Sequence, residues 1–267
     1  IWHGDTRWWD YSAPVLFPII GPVALDRVQC QGQPHAIASH GFARTSIFEV
    51  LDVASDRVTL ALKASTATRE HYPFDFTLLI EHRLKAASLC TEVRLSNTGS
   101  QPLPASFGFH PALRWPMAGR PRAEHQLVFE QAEGAKVKRV IRGGQLQETD
   151  TALPLQDRHL RLSDHLFEHG ALVLDPVQSQ SLALADDLGP LLNLRWTGCP
   201  QLGLWTKPGA PFLCVEPWAG NPRPLGWDGE LADKPGSMRL APNASRTFSM
   251  TIDCTPLLQR QAEPRPH

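Results

Sequence analysis

Apolar and polar residues alternate with a period of two over much of this chain. Phe74, Phe76, Leu78, Ile80 and Leu84 share one face of such a pattern, with His82 the only gap. After a polar turn near Lys85, the residues Leu89, Thr91, Val93 and Leu95 repeat it. Successive side chains of a strand point to opposite sides, so the pattern predicts two half-buried strands in a hairpin, ended by Asn97-Thr98-Gly99. Val58, Leu60 and Leu62 alternate in the same way. Further short strands are expected at 126–130, 136–142, 171–174, 181–185, 191–196, 203–206, 212–216 and 246–253. Helical turns are expected only at 163–169 and 228–233. The 24 prolines and 19 glycines that punctuate these runs place the chain among all-β sandwiches or barrels. No repeat, low-complexity run or linker divides it. One domain is expected over 1–258, with residues 1–22 docked on its core and a disordered polar tail at 259–267.

Charge narrows the partners. With 26 basic and 27 acidic residues the formal net charge is −1, which gives no general attraction to nucleic acid or to an anionic membrane. The five cysteines (Cys30, Cys90, Cys199, Cys214, Cys254) are odd in number and widely spaced. They read as reduced thiols of a cytoplasmic protein. No apolar run reaches the length of a membrane span and no signal peptide opens the chain. Asn243-Ala244-Ser245 fits a glycosylation acceptor by chance. The chain begins at Ile1 rather than Met, which points to a preceding segment that was processed off or lies outside this sequence.

Candidate chemistry gathers at three stretches. Glu216 ends an apolar run, Phe212-Leu213-Cys214-Val215, and precedes Pro217 and Trp218. Burial there would raise a carboxyl group toward neutrality, as suits a general base, whereas an ordinary strand-end glutamate would face water. His110 sits in Gly108-Phe109-His110-Pro111, and imidazole is the usual proton donor near neutral pH; the ordinary alternative is a hydrogen-bonded core histidine. His40 and Arg44 bracket Gly41-Phe42-Ala43; an arginine fork can hold vicinal hydroxyls or an anion, or can simply pair with an acidic neighbour. Eight tryptophans offer flat faces for a sugar ring, although most tryptophans are core. Trp115, Trp205 and Trp218 adjoin the three stretches and are the candidates. His165-Leu166-Phe167-Glu168-His169 matches a zinc-peptidase pattern. That pattern needs a sustained helix and a third ligand. Gly170 and a strand-like run follow at once, so no metal is expected.

Taken together, His40–Arg44, Gly108-Phe109-His110-Pro111 through Pro116, and Glu216-Pro217-Trp218-Ala219-Gly220 resemble the aldose 1-epimerase (galactose mutarotase-like) family, most closely its LacX-like branch. Leu16-Phe17-Pro18 with Gly21, Tyr72-Pro73-Phe74 with Phe76, and Lys234-Pro235-Gly236 add to the likeness, which runs from Trp2 to about Ile252. Members of that family usually carry additional strands before the point where this chain begins. The resemblance implies a large antiparallel β-supersandwich with a sugar in a cleft on one sheet. It also implies roles. Glu216 would take the proton of the C1 hydroxyl and His110 would protonate the ring oxygen. His40 and Arg44 would hold sugar oxygens beside Trp205 and Trp218. No cofactor is required, because both half-reactions are proton transfers.

The sequence departs from the family after Leu166-Phe167. Relatives tend to place a sugar-binding aspartate there. This chain has Glu168-His169-Gly170, with glycine at the aligned position and Asp164 or Asp175 as possible substitutes. The expected partner is a small sugar bound by a monomer or homodimer. The principal reading is a mutarotase acting on an aldohexose. Its alternatives are a non-catalytic sugar-binding or sensing protein on the same fold, a hexose-6-phosphate 1-epimerase, and a polysaccharide lyase or hydrolase, which would want a longer chain and an extended groove. A phosphosugar needs several cationic donors at the cleft. Beyond Arg44, the motif stretches supply only Arg114, Lys207 and Arg223, so a neutral hexose is expected.

Overall fold

The computed structural model describes residues 1–134, 136–141 and 143–262. Two large antiparallel sheets carry the architecture. The ten-stranded sheet runs, in spatial order, Leu155–Gln156, His159–Arg161, Gln126–Phe129, Ser181–Asp186, Gly189–Thr197, Ser245–Asp253, Ser88–Asn97, Phe76–Lys85, Arg57–Lys63 and Glu49–Val53. The eight-stranded sheet runs Val15–Leu16, Phe107–Phe109, Phe212–Ala219, Gln201–Trp205, Ala171–Leu174, Lys136–Val140 and Leu146–Ala152, with Ala112–Arg114 also paired to Phe212–Ala219. One buried apolar cluster, from Phe17 to Ile252, draws on both sheets. Phe107 of the eight-stranded sheet stacks on Phe248 of the ten-stranded one with ring centroids 4.5 Å apart. The expected all-β sandwich is the observed class.

The period-two reading located the hairpin Phe76–Lys85 and Ser88–Asn97, whose inward residues Leu78, Ile80, Val93 and Leu95 are buried. Leu84 does not belong to that core face: it is 57% exposed, because the hairpin end runs past the edge of the core. His82 fills its gap with a 2.9 Å contact from Nδ1 to the Thr91 hydroxyl on the paired strand. The helical turns fall at Asp164–Phe167 and Leu231–Asp233. Two helices escape the pattern, Thr66–His71 and Thr255–Ala262. The second takes in residues 259–262 of the expected tail, and Arg260 fastens it to the buried Asp186 at 2.7 Å. Residues 263–267, and position 142 of the expected strand 136–142, lie outside the described residues.

The strand Phe212–Ala219 is buried on both faces. Leu213, Val215 and Ala219 enter the core between the sheets. Phe212, Cys214, Glu216 and Trp218 alternate to the opposite face, where Glu216 and Trp218 floor a cleft while Phe212 and Cys214 pack beneath with Trp2 and Ala112.

Candidate active site

A cavity of about 810 Å³ opens over this floor, lined by His40, His110, Trp205, Glu216 and Trp218 among others. Strand register places the reactive groups. Trp218 pairs with Gly108, so His110 leaves the end of Phe107–Phe109 beside the strand that carries Glu216. His110 Nε2 lies 3.1 Å from Glu216 Oε2, and the side chains are 7% and 2% exposed. Burial in this apolar floor raises the Glu216 carboxyl well above the ordinary carboxylate range. The Trp218 indole N–H faces it and draws it down a little, without completing a hydrogen bond of good geometry. Burial, then the nearby His40 and Arg44, hold the His110 imidazole well below its ordinary range. A charged form of either group is therefore disfavoured. Both directions favour the uncharged forms, a protonated carboxyl beside a neutral imidazole.

Two glycines make room for the floor. The Trp218 indole lies across the backbones of neighbouring strands. A Cβ at Gly108 would stand 2.6 Å from its Cδ1, and one at Gly203 would stand 2.5 Å from its Cζ2. No other residue fits at either place. This gives the glycine of Gly108-Phe109-His110-Pro111 its physical reason: the indole lies against the backbone there.

His40 enters from a left-handed turn, with φ +65°. Its Nδ1 accepts the Gly21 N–H at 3.2 Å, which leaves Nε2–H as the donor. Burial, with the Arg44 charge as a second cause, lowers it to about 4, so it is neutral near pH 7. Its ring meets the His110 ring edge-on at 5.7 Å. Arg44 is near enough for its charge to act on His40 and His110 but does not line the cavity, and its guanidinium carbon lies 4.9 Å from the Tyr11 ring centroid. Among the described residues Arg44 has no carboxylate partner, and its buried Nε is unpaired.

The tryptophans divide. Trp205 is half-buried at the cleft and Trp218 is its floor. Trp115 is not at the cleft. It is fully buried with the Arg122 guanidinium 3.4 Å from its ring centroid, as core packing demands. Trp9 is a wall residue that the sequence reading did not single out. It stacks on His110 at 4.8 Å and meets Trp205 edge-on at 5.7 Å. The segment bearing it is pinned by Trp2, whose N–H donates to Ala112 and whose indole donates to Trp9, and by Lys207, whose ammonium donates to the Trp8 carbonyl. The aromatic density of residues 1–11 was the available signal, and it marked the cleft rather than the core.

Gly170, which the family resemblance sets against a sugar-binding aspartate, lies on the cleft rim. Its φ is +100°, and a Cβ there would meet the Val140 carbonyl oxygen at 1.9 Å. This backbone accepts only glycine. Neither proposed substitute reaches the cleft. Asp164 accepts from Arg122 at 2.8 Å and from Gly209 N–H at 3.0 Å. Asp175 accepts from Lys138, Gln201 and Asn221 at 2.8–3.0 Å. The rim groups are Glu168 and His169 instead. In the peptidase-like stretch, His165 and Glu168 pair at 3.0 Å on an exposed single turn. Among the described residues no third ligand-type side chain gathers with them.

Comparison with known proteins bears on this arrangement. Protein LacX (chromosomal) of Lactococcus lactis subsp. lactis is 28% identical over 265 residues, covering 94% of this chain and 89% of that one. A galactose mutarotase related enzyme from Lactobacillus acidophilus superposes with a TM-score of 0.85 at 26% identity, over 94% of this chain and 85% of its own. A galactose mutarotase-like protein from Lactobacillus casei ATCC 334 superposes with a TM-score of 0.84 at 25% identity, over 94% and 88%. The family model for aldose 1-epimerase matches residues 4–253, which include all three motif stretches and both sheets; this chain belongs to the aldose 1-epimerase family.

Proposed function

We propose that this protein is an isomerase that interconverts the α and β anomers of a neutral aldohexose. The buried carboxyl–imidazole pair at 3.1 Å on the cleft floor carries the reading. Opening a pyranose needs one proton removed from O1 and one delivered to O5. Two groups that hold a single proton between them can do both without exchange with water. Glu216 takes the O1 proton as His110 gives its own to O5. The C1–O5 bond breaks, C1=O1 forms, the aldehyde turns about C1–C2, and the same steps reverse on its other face. The pair starts and ends with one proton. It rests with that proton on Glu216, so transfer across the 3.1 Å contact to His110 Nε2 precedes ring opening. His40 Nε2–H donates to a ring hydroxyl, Arg44 supports the neighbouring oxygens, and Trp205 and Trp218 meet the apolar face of the ring.

Among the described residues the cleft is poor in lysine and arginine, which favours a neutral sugar. Of Arg44, Arg114, Lys207 and Arg223, only Lys207 lines it. Arg114 is exposed away from it, and Arg223 donates to the Trp227 carbonyl at 2.8 Å. Polarimetry on freshly dissolved α-glucose, α-galactose and α-glucose 6-phosphate tests the reading. Turnover of a neutral hexose that falls roughly 10²–10⁴-fold in folded Glu216→Gln is expected. Sugar binding without turnover would instead identify a binding protein. Preference for the phosphate, lost in Lys207→Ala, would identify a phosphosugar epimerase.

A further inference from the structure

Cys214 has no part in the proton transfers, yet it stands directly against them. It precedes Glu216 by two residues on the same strand and on the same face, and it pairs with Ala112, two residues after His110. The ligand-type atoms of His110, Cys214 and Glu216 all lie within 4.8 Å of one another, and all three residues are buried. His110 and Glu216 line the cleft and Cys214 lies beneath them.

We propose that His110, Cys214 and Glu216 form a reversible binding site for a thiophilic divalent cation of the zinc class, and that its occupation blocks the reaction. Sulfur, nitrogen and oxygen at tetrahedral zinc distances stand roughly 3.4–3.6 Å apart. The His110–Glu216 contact of 3.1 Å therefore opens slightly, and the sulfur closes by about an ångström. Such an adjustment is within reach of side-chain rotation. The fourth position faces the cleft, through which the ion enters. Charge favours this ion over a monovalent or trivalent one: thiolate, carboxylate and neutral imidazole cancel a charge of +2 within a dry floor. Binding replaces the Cys214 thiol proton and the one proton of the His110–Glu216 pair, and both leave through the cleft to water. His110 Nδ1 has no hydrogen-bond partner. The site thus lacks the outer support that strengthens permanent zinc centres, a difference of about 10–100-fold in affinity. An ion so placed uses the proton acceptor and donor together, and sugar turnover stops. The binding stands on the cluster alone, while the inhibition rests on the proposed isomerase activity.

Cobalt(II) titration of chelator-stripped protein tests the binding without reference to turnover. One equivalent should produce a thiolate-to-cobalt charge-transfer band, displaced by zinc. Cys214→Ala and Cys214→Ser, which keep the other four cysteines, should both abolish it. In parallel, zinc should inhibit wild-type polarimetric turnover and chelator should restore it. Cys214→Ala should retain turnover within about twofold in chelator and need at least tenfold more zinc for half-inhibition. No thiolate band in wild type, or a band that survives both substitutions, overturns the site. So does zinc inhibition unchanged in Cys214→Ala. A cobalt band in a protein without mutarotase turnover upholds the site and refutes the activity instead.

Discussion

Lys234 lies in the Lys-Pro-Gly stretch and is 2% exposed. Its ammonium donates to the backbone carbonyl of Asn221 and, among the described residues, meets no carboxylate. Burial lowers it from 10.5 to about 7. The unfolded chain therefore binds more protons than the folded one between those two values, and stability rises with pH across that window. At pH 7 an ordinary lysine is fully charged while this one is half neutral. The ratio of the two binding polynomials is about 10^3.2, so folding is opposed by about 4 kcal/mol. At pH 9 the opposition has fallen to about 2 kcal/mol, and above the unfolded value it vanishes. Lys234→Met removes this opposition and also one hydrogen bond, leaving the Asn221 carbonyl unpaired at a cost of about 1–3 kcal/mol. The substitution should thus stabilise the protein by about 1–3 kcal/mol at pH 7. The advantage should shrink by about 2 kcal/mol by pH 9. Urea denaturation of both proteins at pH 7, 8 and 9 measures it. A difference that does not change with pH would show that Lys234 stays charged in the fold, and would refute the reasoning.

Other outcomes follow from the same site. The pH profile of kcat/KM should be a broad bell. Its acid limb, where His110 gains a second proton, should fall below the ordinary imidazole value of 6.5; its alkaline limb, where Glu216 loses the last one, should lie above the ordinary carboxylate value of 4.5; an acid limb centred at 6.5 contradicts the buried pair. His40, held near 4 against an unfolded 6.5, should draw at most about 3 kcal/mol from stability as pH falls from 6.5 to 4. Chemical denaturation over that range should show a shallower slope in His40→Gln than in wild type, with the buried His110 still contributing to both. Gly170→Asp should destabilise by at least about 3 kcal/mol, through left-handed strain and overlap with Val140, and thermal melting that finds it neutral would show that the rim backbone gives way.

The legible parts of the fold were strands with one face on the core and the other in water. The hairpin Phe76–Lys85 and Ser88–Asn97 is of this kind. Glu49–Val53 gave no such contrast, because all five of its residues are exposed on a sheet edge. Val15–Leu16 is too short for a period to develop. The helix Thr66–His71 buries nothing and owes its position to a reciprocal cap between Ser65 and Thr68. Such a cap is a local hydrogen-bond arrangement rather than an apolar stripe.

For the site, the chemical types could be read but not their faces. Phe212-Leu213-Cys214-Val215 is apolar without interruption, since its strand is buried on both sides. A run of that kind hides the alternation that puts Cys214, Glu216 and Trp218 on the cleft side and Leu213 and Val215 in the core. Only the partner strands disclose it. Gly108 and Gly203 lack side chains where the Trp218 indole must lie, which marks that side as the one built around a ring. Gly170 shows the opposite limit. The family resemblance sets it against an expected carboxylate. In the structure it is a backbone position at +100° pressed against the Val140 carbonyl, which an aspartate could not occupy. Beside it the rim presents the polar side chains of Glu168 and His169 to the cleft.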